Sequence, residues 1–313
     1  MKTICFWDNY LGERGTTIAL YDYAYYNQTL LGNKSIIMYR SSSSGNVPEV
    51  VEKFKKQFEV IGVNHFSEVD MILLDKNVDI FYIIKSGEYD GQVSNVCKTC
   101  VHCVFNCSQP HGNVYASIAP WVYNNNGKYP YVPHIINLPE HDRNMRTELG
   151  IPENAVVFGR HGGYGQFDIQ FVHPIVYRVA KENPNIYFVF VNTKPFCDPL
   201  PNIIHLDKII DLDKKVEFIN TCDAMMWARS DGEVFSLSQG EFSFKNKPII
   251  CTQSGYPGHI HLLQNKAIWY TPDNLYNILT TFNRDEMKTK DWNAYKQFTP
   301  ENVMQIFKKV YID

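Results

Sequence analysis

No stretch of this chain approaches the roughly 20 consecutive apolar residues that a membrane-spanning helix needs. The opening "MKTICFWDNYLGERG" has a short apolar start that Asp8 interrupts, and no small-residue cleavage site follows, so no secretory leader is expected. Neither sign of charge dominates. The 30 basic and 33 acidic residues leave a net charge of −3, which gives no general affinity for nucleic acid or anionic lipid. Internal repeats are missing, and the one low-complexity patch, "RSSSSGN" from Arg40 to Asn46, reads as a surface loop. Without a leader, the eight cysteines are expected to be reduced thiols rather than a disulfide framework. What remains is the expectation of a cytoplasmic globular protein, whose 313 residues suffice for about two domains.

Four of those cysteines nevertheless stand close together. "NVCKTCVHCVFNCSQPHGN" spaces Cys97, Cys100, Cys103 and Cys107 as C-x2-C-x2-C-x3-C, the spacing of the ligand run in bacterial ferredoxins. A cluster needs short loops that wrap four thiolates around one point, and a two-cluster ferredoxin needs a second run that this chain lacks. A zinc site needs paired C-x2-C units separated by a longer loop, or histidines at matching offsets.

The rest alternates short apolar runs with amphipathic stretches, the pattern of βαβ units and a parallel sheet. "TICFW", "KSIIMYR" and "VDIFYIIKS" read as strands, and "PEVVEKFKKQF" as a helix opened by Pro48. A second series begins near residue 135 with the strands "NAVVFGR", "NIYFVFVN", "AMMWARS" and "KPIICT". Helices are expected over "DIQFVHPIVYRVAKEN", "DLDKKVEFINTCD" and "SLSQGEFSFKN". "FTPENVMQIFKKVY" closes the chain as a helix, with Thr299 as N-cap and Pro300 as first helical residue. The reading is α/β, with two Rossmann-like doubly wound domains facing a central cleft. They span residues 1–134 and 135–290, and a helix within 291–313 packs back on the first. The Pro-rich "YPYVPHIINLPEHD" joins the two.

The chemistry concentrates in "CDAMMWARSDGEVFSLSQGEFSFKNKPIICTQSGYPGHIHLL", where seven residues separate Glu233 from Glu241. A strand, an acidic loop carrying Glu233, a helix beginning near Phe235, and then Lys247-Pro248 before the strand "IICT" follow in order. This run resembles the E-x7-E signature of retaining GT-B glycosyltransferases of the family 4 type. "LGERGTTIALYDYAYYNQTLLGNKSIIMY" is similar to their N-terminal glycine loop, helix and second strand, and "NLPEHDRNMRTELGIPENAVVFGR" to the start of their second domain. The resemblance implies the GT-B fold, with residues 1–134 on the acceptor side and 135–290 binding the donor. On the same resemblance "CVHCVFNCS" is a buried parallel strand, in which Cys103, Phe105 and Cys107 alternate with Val104 and Asn106. Its cysteines then act as small hydrophobes.

It also implies transfer of a sugar from a nucleotide donor, such as a UDP- or GDP-sugar, to a glycan, glycolipid or protein acceptor. Anomeric configuration would be retained, with no metal or other cofactor, and no Asp-x-Asp motif stands in a suitable loop. A glycolipid acceptor would leave peripheral membrane contact open. Arg160 would meet the diphosphate charge with its planar donor fork, joined by backbone N–H groups of Phe235, Ser236 and Leu237 at a helix start. Gly12 and Gly15 would let the N-terminal backbone approach the donor. Glu233 would fix the donor sugar, Glu241 would accept from the ribose hydroxyls, and His111 would contact the sugar.

His111 equally suits a loop histidine capping a helix near Val114. The family's usual lysine about five residues after the arginine is replaced by "GRHGGYGQFD". There Gly162, Gly163 and Gly165 could form an anion nest, or His161, Lys245 or Arg14 could supply charge. Three other readings stand beside transfer: a GT-B nucleotide-sugar epimerase, a non-catalytic nucleotide-sugar-binding module, and an iron–sulfur redox protein. A glycosidase pair is disfavoured, because eight residues of helix would separate the two glutamate backbones by about 12 Å.

Overall fold

The computed structural model describes all 313 residues. The chain divides into two compact units, Met1–Ile135 with Gln297–Asp313, and Ile136–Lys296. Residues 291–296 therefore lie with the second unit rather than with the C-terminal helix.

The first unit contains β1 (Thr3–Asp8), α1 (Gly15–Thr29), β2 (Lys34–Arg40), α2 (Pro48–Lys55), β3 (Glu59–Val63), α3 (Val69–Asp75), β4 (Ile80–Lys85), β5 (Lys98–Cys103) and β6 (Val114–Ser117). All six strands pair in parallel, in the order β3-β2-β1-β4-β5-β6. The central strands β1 and β4 are buried along almost their whole length, as their unbroken apolar runs require when helices cover both faces. Pro48 occupies the first turn of α2, which turns Val50, Val51 and Phe54 inward. The loop "RSSSSGN" is tied by Asn46, whose amide donates to the carbonyls of Arg40, Ser41 and Ser43.

The second unit runs through β7 (Val156–Arg160), α4 (Val172–Glu182), β8 (Ile186–Val191), β9 (Ile203–Leu206), α5 (Leu212–Thr221) and β10 (Ala224–Met226). It continues with β11 (Gly232–Glu233), α6 (Leu237–Phe244), β12 (Ile249–Cys251), β13 (Tyr256–Pro257), α7 (Gly258–Leu263), β14 (Ala267–Trp269), α8 (Leu275–Thr280) and α9 (Arg284–Lys288). Its six-stranded parallel sheet has the order β14-β12-β10-β7-β8-β9, and β11 and β13 form a separate two-stranded ladder. Counted within each unit, both sheets follow 3-2-1-4-5-6, the doubly wound order. Val172, Val176, Val179 and Ala180 recur at helical spacing along α4 and pack on Phe158, Phe188 and Phe190 of the sheet. Gly159 in β7 is required by the helix behind it, since a Cβ there would lie 2.2 Å from Cys222 Sγ.

The last helix, α10 (Pro300–Phe307), starts where Thr299 Oγ1 accepts from Asn302 N, and continues as a π-helical turn over Lys308–Ile312. It belongs to the first unit, where Phe307 stacks on Tyr23 with ring centroids 5.3 Å apart and Tyr311 meets Tyr82 edge-on at 5.3 Å.

The cysteine run departs from its expected form. β5 ends at Cys103, and the chain turns there, with Val104 N bonding Lys85 O and Phe105 56% exposed. Only Cys100 and Cys103 are buried within the strand. Cys97 precedes it beside Ser94, 3.6 Å away, and Cys107 folds back to put its Sγ 3.4 Å from that of Cys103. No three His, Cys, Asp or Glu side chains converge to hold a metal, and the four thiols of the run do not meet at a point. No helix is long and apolar enough to cross a membrane.

Candidate functional site

In a doubly wound sheet the connections change direction between the first and fourth strands, and a crevice opens at their carboxyl ends. In the second unit those strands are β7 and β10. β7 delivers Arg160, and the chain leaving β10 runs through Trp227 and Arg229 to Glu233 in β11. Asp168 accepts from Ser230 N at 2.7 Å and Ser230 Oγ at 2.8 Å, which ties the loop after β10 to the loop after β7. The result is a small, tightly filled pocket lined by Arg160, His161, Gly162, Gln166, Trp227, Arg229, Glu233 and Ser238 of α6.

Arg160 is buried and partly committed. Its Nη1 donates to Thr193 Oγ1 at 2.5 Å and Asn192 O at 3.3 Å, and its Nη2 to Gly163 O at 2.8 Å. Burial draws its pKa down to about 10, Glu233 acting in the opposite direction, so it stays cationic at neutral pH. Glu233 receives Trp227 Nε1 at 3.3 Å and Arg229 Nη1 at 3.2 Å. Burial raises its pKa from the ordinary glutamate value, with Arg229 opposing. A cation, a half-shielded carboxylate and an indole thus share one small space, an arrangement suited to gripping an anionic, hydroxyl-bearing ligand.

Glu241 lies behind this pocket rather than in it. Lys215 Nζ of α5 bonds Oε1 at 2.8 Å, and His161 Nε2 lies 3.0 Å from Oε2, off the hydrogen-bonding direction. Burial disfavours the Glu241 charge, but Lys215 and His161 outweigh it and hold the pKa at about 2. His161, stacked on Phe242 at 5.7 Å, is itself pushed down by burial and pulled up by Glu241. Oε1 is therefore occupied by Lys215, while Oε2 is buried against His161 without a hydrogen bond.

At the start of α6, Ser236 takes the left-handed conformation, φ 57°, unusual for a residue with a side chain, and its Oγ accepts from Gln239 N. The N–H groups of Leu237 and Ser238, first and second in the helix, have no intrahelical acceptor. Phe235 is a core side chain, edge-on to Tyr295, with its carbonyl accepting from Tyr295 Oη at 2.6 Å. The glycines after Arg160 form no open nest, because Gly163 N is taken by Gln166 Oε1 at 3.2 Å.

Of the cations weighed for the missing lysine, Lys245 lines a different concavity, beside Asp223 and Arg284. Arg14 lies in the first unit, paired with Asp8 and over the Tyr10 ring. The cations found beside Glu233 and Glu241 are Arg229 and Lys215. Arg229 stands four residues before Glu233, a charge spacing that could have been noticed. Lys215 sits in "DLDKKVEF", where nothing separates it from a solvated helix lysine.

In the first unit, Gly12 is buried where two loops meet, and a Cβ on it would lie 2.8 Å from Gly45 O and 3.0 Å from the Tyr10 ring. Its smallness serves that contact. Beside it, the end of β1 buries Asp8, which accepts from Thr17 Oγ1 at 2.7 Å. Gly15 is the first residue of α1. His111 lies in the 104–113 loop near the end of β4, its ring between Tyr89 and Tyr115. Its Nδ1 faces Gln109 O at 2.6 Å and its Nε2 meets Lys85 Nζ at 3.1 Å, so Nδ1 carries the proton and Nε2 accepts from the ammonium. Burial lowers its pKa, and Lys85 adds to that. There is no helix at Val114 for it to cap, because β6 starts there.

No protein-family model matches the sequence. No curated protein matches it either. Solved structures do match. HepE from Anabaena, solved with UDP-glucose, superposes with a TM-score of 0.74 over 99% of both chains at 13% identity. A glycosyltransferase from Rickettsia africae gives 0.66 at 12% identity over 99% of this chain and 98% of that one. WaaG, a glycosyltransferase involved in lipopolysaccharide biosynthesis, gives 0.64 at 12% identity over 99% of this chain and 100% of that one. The fold, two α/β units on six-stranded parallel sheets, is that of the GT-B glycosyltransferases.

Proposed function

We propose that this chain is a glycosyltransferase that takes a nucleotide sugar into the pocket between β7 and β10 and passes its sugar to a hydroxyl acceptor, a glycan, glycolipid or protein. The observation that carries this reading is the meeting of Arg160, Arg229 and Glu233 at the switch point of the second sheet, beside the start of α6. That the Anabaena neighbour was solved with UDP-glucose supports a nucleotide-sugar donor. The eight free cysteines suit a reducing, cytoplasmic setting.

The bond from C1 of the sugar to the diphosphate oxygen breaks, and negative charge grows on the departing diphosphate. Arg160 and the free N–H groups of Leu237 and Ser238 face that charge, and they need little reorganisation because packing holds them in place. Glu233 orients the sugar hydroxyls. The acceptor oxygen bonds to C1 on the face the diphosphate leaves, its proton passes to a phosphate oxygen, and configuration is retained without a metal. Glu241 reaches the ribose by releasing Lys215, which then supplies the second cation to the diphosphate.

A second reading is a nucleotide-sugar-binding protein without transfer. It is favoured by the three bonds that Arg160 already makes to Asn192, Thr193 and Gly163. Melting temperatures recorded across a panel of UDP- and GDP-sugars identify the donor, and release of free nucleotide is then followed with and without acceptor. The transferase releases nucleotide slowly alone and faster with acceptor, and Glu233→Ala abolishes both. Binding without release selects the second reading, sugar conversion without acceptor selects an epimerase, and a panel with no stabilising ligand overturns the proposal.

A further inference from the structure

The opposite edge of the second sheet carries a feature that donor binding does not use. Asp223 directly precedes β10, and Asn246, Lys247 and Pro248 directly precede β12, so these residues lie at the amino ends of the strands. In a parallel sheet that edge is remote from the carboxyl edge where Arg160 sits. Between them and Arg284, Met287 and Lys288 of α9 lies a small open concavity of about 160 Å³.

Its charge is one-sided. Lys245, Lys247, Arg284 and Lys288 line it, against the single carboxylate of Asp223. That carboxylate is already satisfied, by Arg146 Nη2 at 3.0 Å, Val157 N at 2.9 Å and Arg284 Nε at 3.3 Å. Arg284 is partly committed, since its Nη1 bonds the carbonyls of Glu153 and Ala155 and its Nε faces Asp223. The three lysines are not spent. Lys288 meets only Asp285, at 3.5 Å, in an exposed pair worth little. Lys245 reaches only the Pro139 carbonyl, at 3.4 Å. The Lys247 side chain makes no hydrogen bond or ion pair; only its backbone N–H is bonded, to Phe242 O at 3.0 Å.

An ammonium drawn partly out of water with no partner is costly, and an anion removes that cost. Burial lowers the Lys247 pKa, with Arg146 and Lys288 adding to the effect and Cys222 and Asp223 opposing it. The turn that presents these lysines is held in advance. Asn246 sits at φ 56°, its side chain accepting from Trp292 N at 2.7 Å and donating to Lys290 O at 3.0 Å.

We propose that this amino-edge pocket is a second ligand site, for a phosphate-bearing anion held by Lys245, Lys247 and Lys288. It is separate from the donor pocket and holds whether or not the chain transfers a sugar. The shared chemistry is a phosphate group, carried by a free phosphorylated metabolite or by a lipid headgroup.

The test is calorimetric titration of the full chain with inorganic pyrophosphate at low ionic strength, alongside co-sedimentation with phosphatidylcholine vesicles with and without phosphatidic acid. Three proteins are compared: wild type, Arg160→Gln, which silences the donor pocket, and Arg160→Gln carrying Lys247→Gln and Lys288→Gln as well. The proposal expects Arg160→Gln to retain a site for pyrophosphate or for phosphatidic acid vesicles, and the added lysine substitutions to weaken it about tenfold or more. In phosphate-free buffer the added substitutions should not lower the melting temperature, because they remove cations with weak partners or none. Pyrophosphate binding alone identifies a free phosphorylated ligand, and lysine-dependent binding to phosphatidic acid vesicles identifies a headgroup. The proposal is overturned if neither probe binds, if Arg160→Gln alone removes binding, or if binding to Arg160→Gln survives the two lysine substitutions unchanged.

Discussion

Replacing Glu241 by glutamine keeps the shape of the side chain and deletes the charge that joins Lys215 to His161. The pKa of Glu241, held near 2 in place of its ordinary 4.5, means that folding favours its ionised form by about 3 kcal/mol at neutral pH. Stripping one partner from a buried ion pair costs about 3–5 kcal/mol, an independent figure of the same size. The Glu241→Gln protein should therefore unfold with a loss of about 3 kcal/mol, or about 6–12 °C for a unit of this length.

The pH dependence follows from the sign of the shift. A carboxylate whose folded pKa is depressed contributes fully above its unfolded value, about 4.5, and loses that contribution as pH falls through about 2. The deficit of the variant should be constant near neutrality and close on acidification. Urea titrations followed by tryptophan fluorescence at pH 7, 4 and 3 measure it. Adding Lys215→Met to Glu241→Gln should restore most of the stability, because an apolar replacement for a buried pair is often neutral. A variant within 1 kcal/mol of wild type at pH 7, or a deficit unchanged at pH 3, refutes the reasoning.

Arg229→Gln removes the charge that opposes the burial of Glu233. Its carboxyl should then titrate still higher, and the acid limb of a kcat/KM profile for nucleotide release should move to higher pH. Gly159→Ala would set a Cβ 2.2 Å from Cys222 Sγ, so it should destabilise by about 1–3 kcal/mol, and Cys222→Ala should relieve part of the loss in a melting-temperature comparison. Phe307→Ala empties a fully buried site among Phe6, Tyr23, Tyr82 and Tyr311 and should cost about 3–5 kcal/mol by denaturant titration. Of the eight free thiols, a mass-resolved alkylation of native protein should modify only Cys97 and Cys197, slowly, because burial raises both pKa values.

Strands buried on both faces were legible in the sequence because such strands are unbroken apolar runs, as in "TICFW" or "NIYFVFVN". The strands β3 and β9 were not. Both are edge strands with few buried side chains, so "EVIGV" and "IIHL" lack the length and alternation that mark a strand. The cysteine run misled in a related way, because apolar composition does not reveal where a strand stops pairing, and the turn after Cys103 leaves Phe105 in solvent. At the site, Arg160 and Glu233 could be placed because each closes or follows a recognisable strand. Lys215 and Trp227 reach it through tertiary packing from elements whose local sequence is ordinary. The pairing of Glu241 with Lys215, and its burial against His161, were likewise invisible, since neither partner lies close to it along the chain.

The central claim is that the pocket between β7 and β10 holds the diphosphate of a nucleotide sugar on Arg160. Calorimetric titration of UDP and of GDP into wild type and Arg160→Gln tests it directly. At least one nucleotide should bind wild type, with affinity about tenfold or more weaker in the variant, the loss of a charge-assisted bond to phosphate. Binding of neither nucleotide, or equal affinity in both proteins, contradicts the claim.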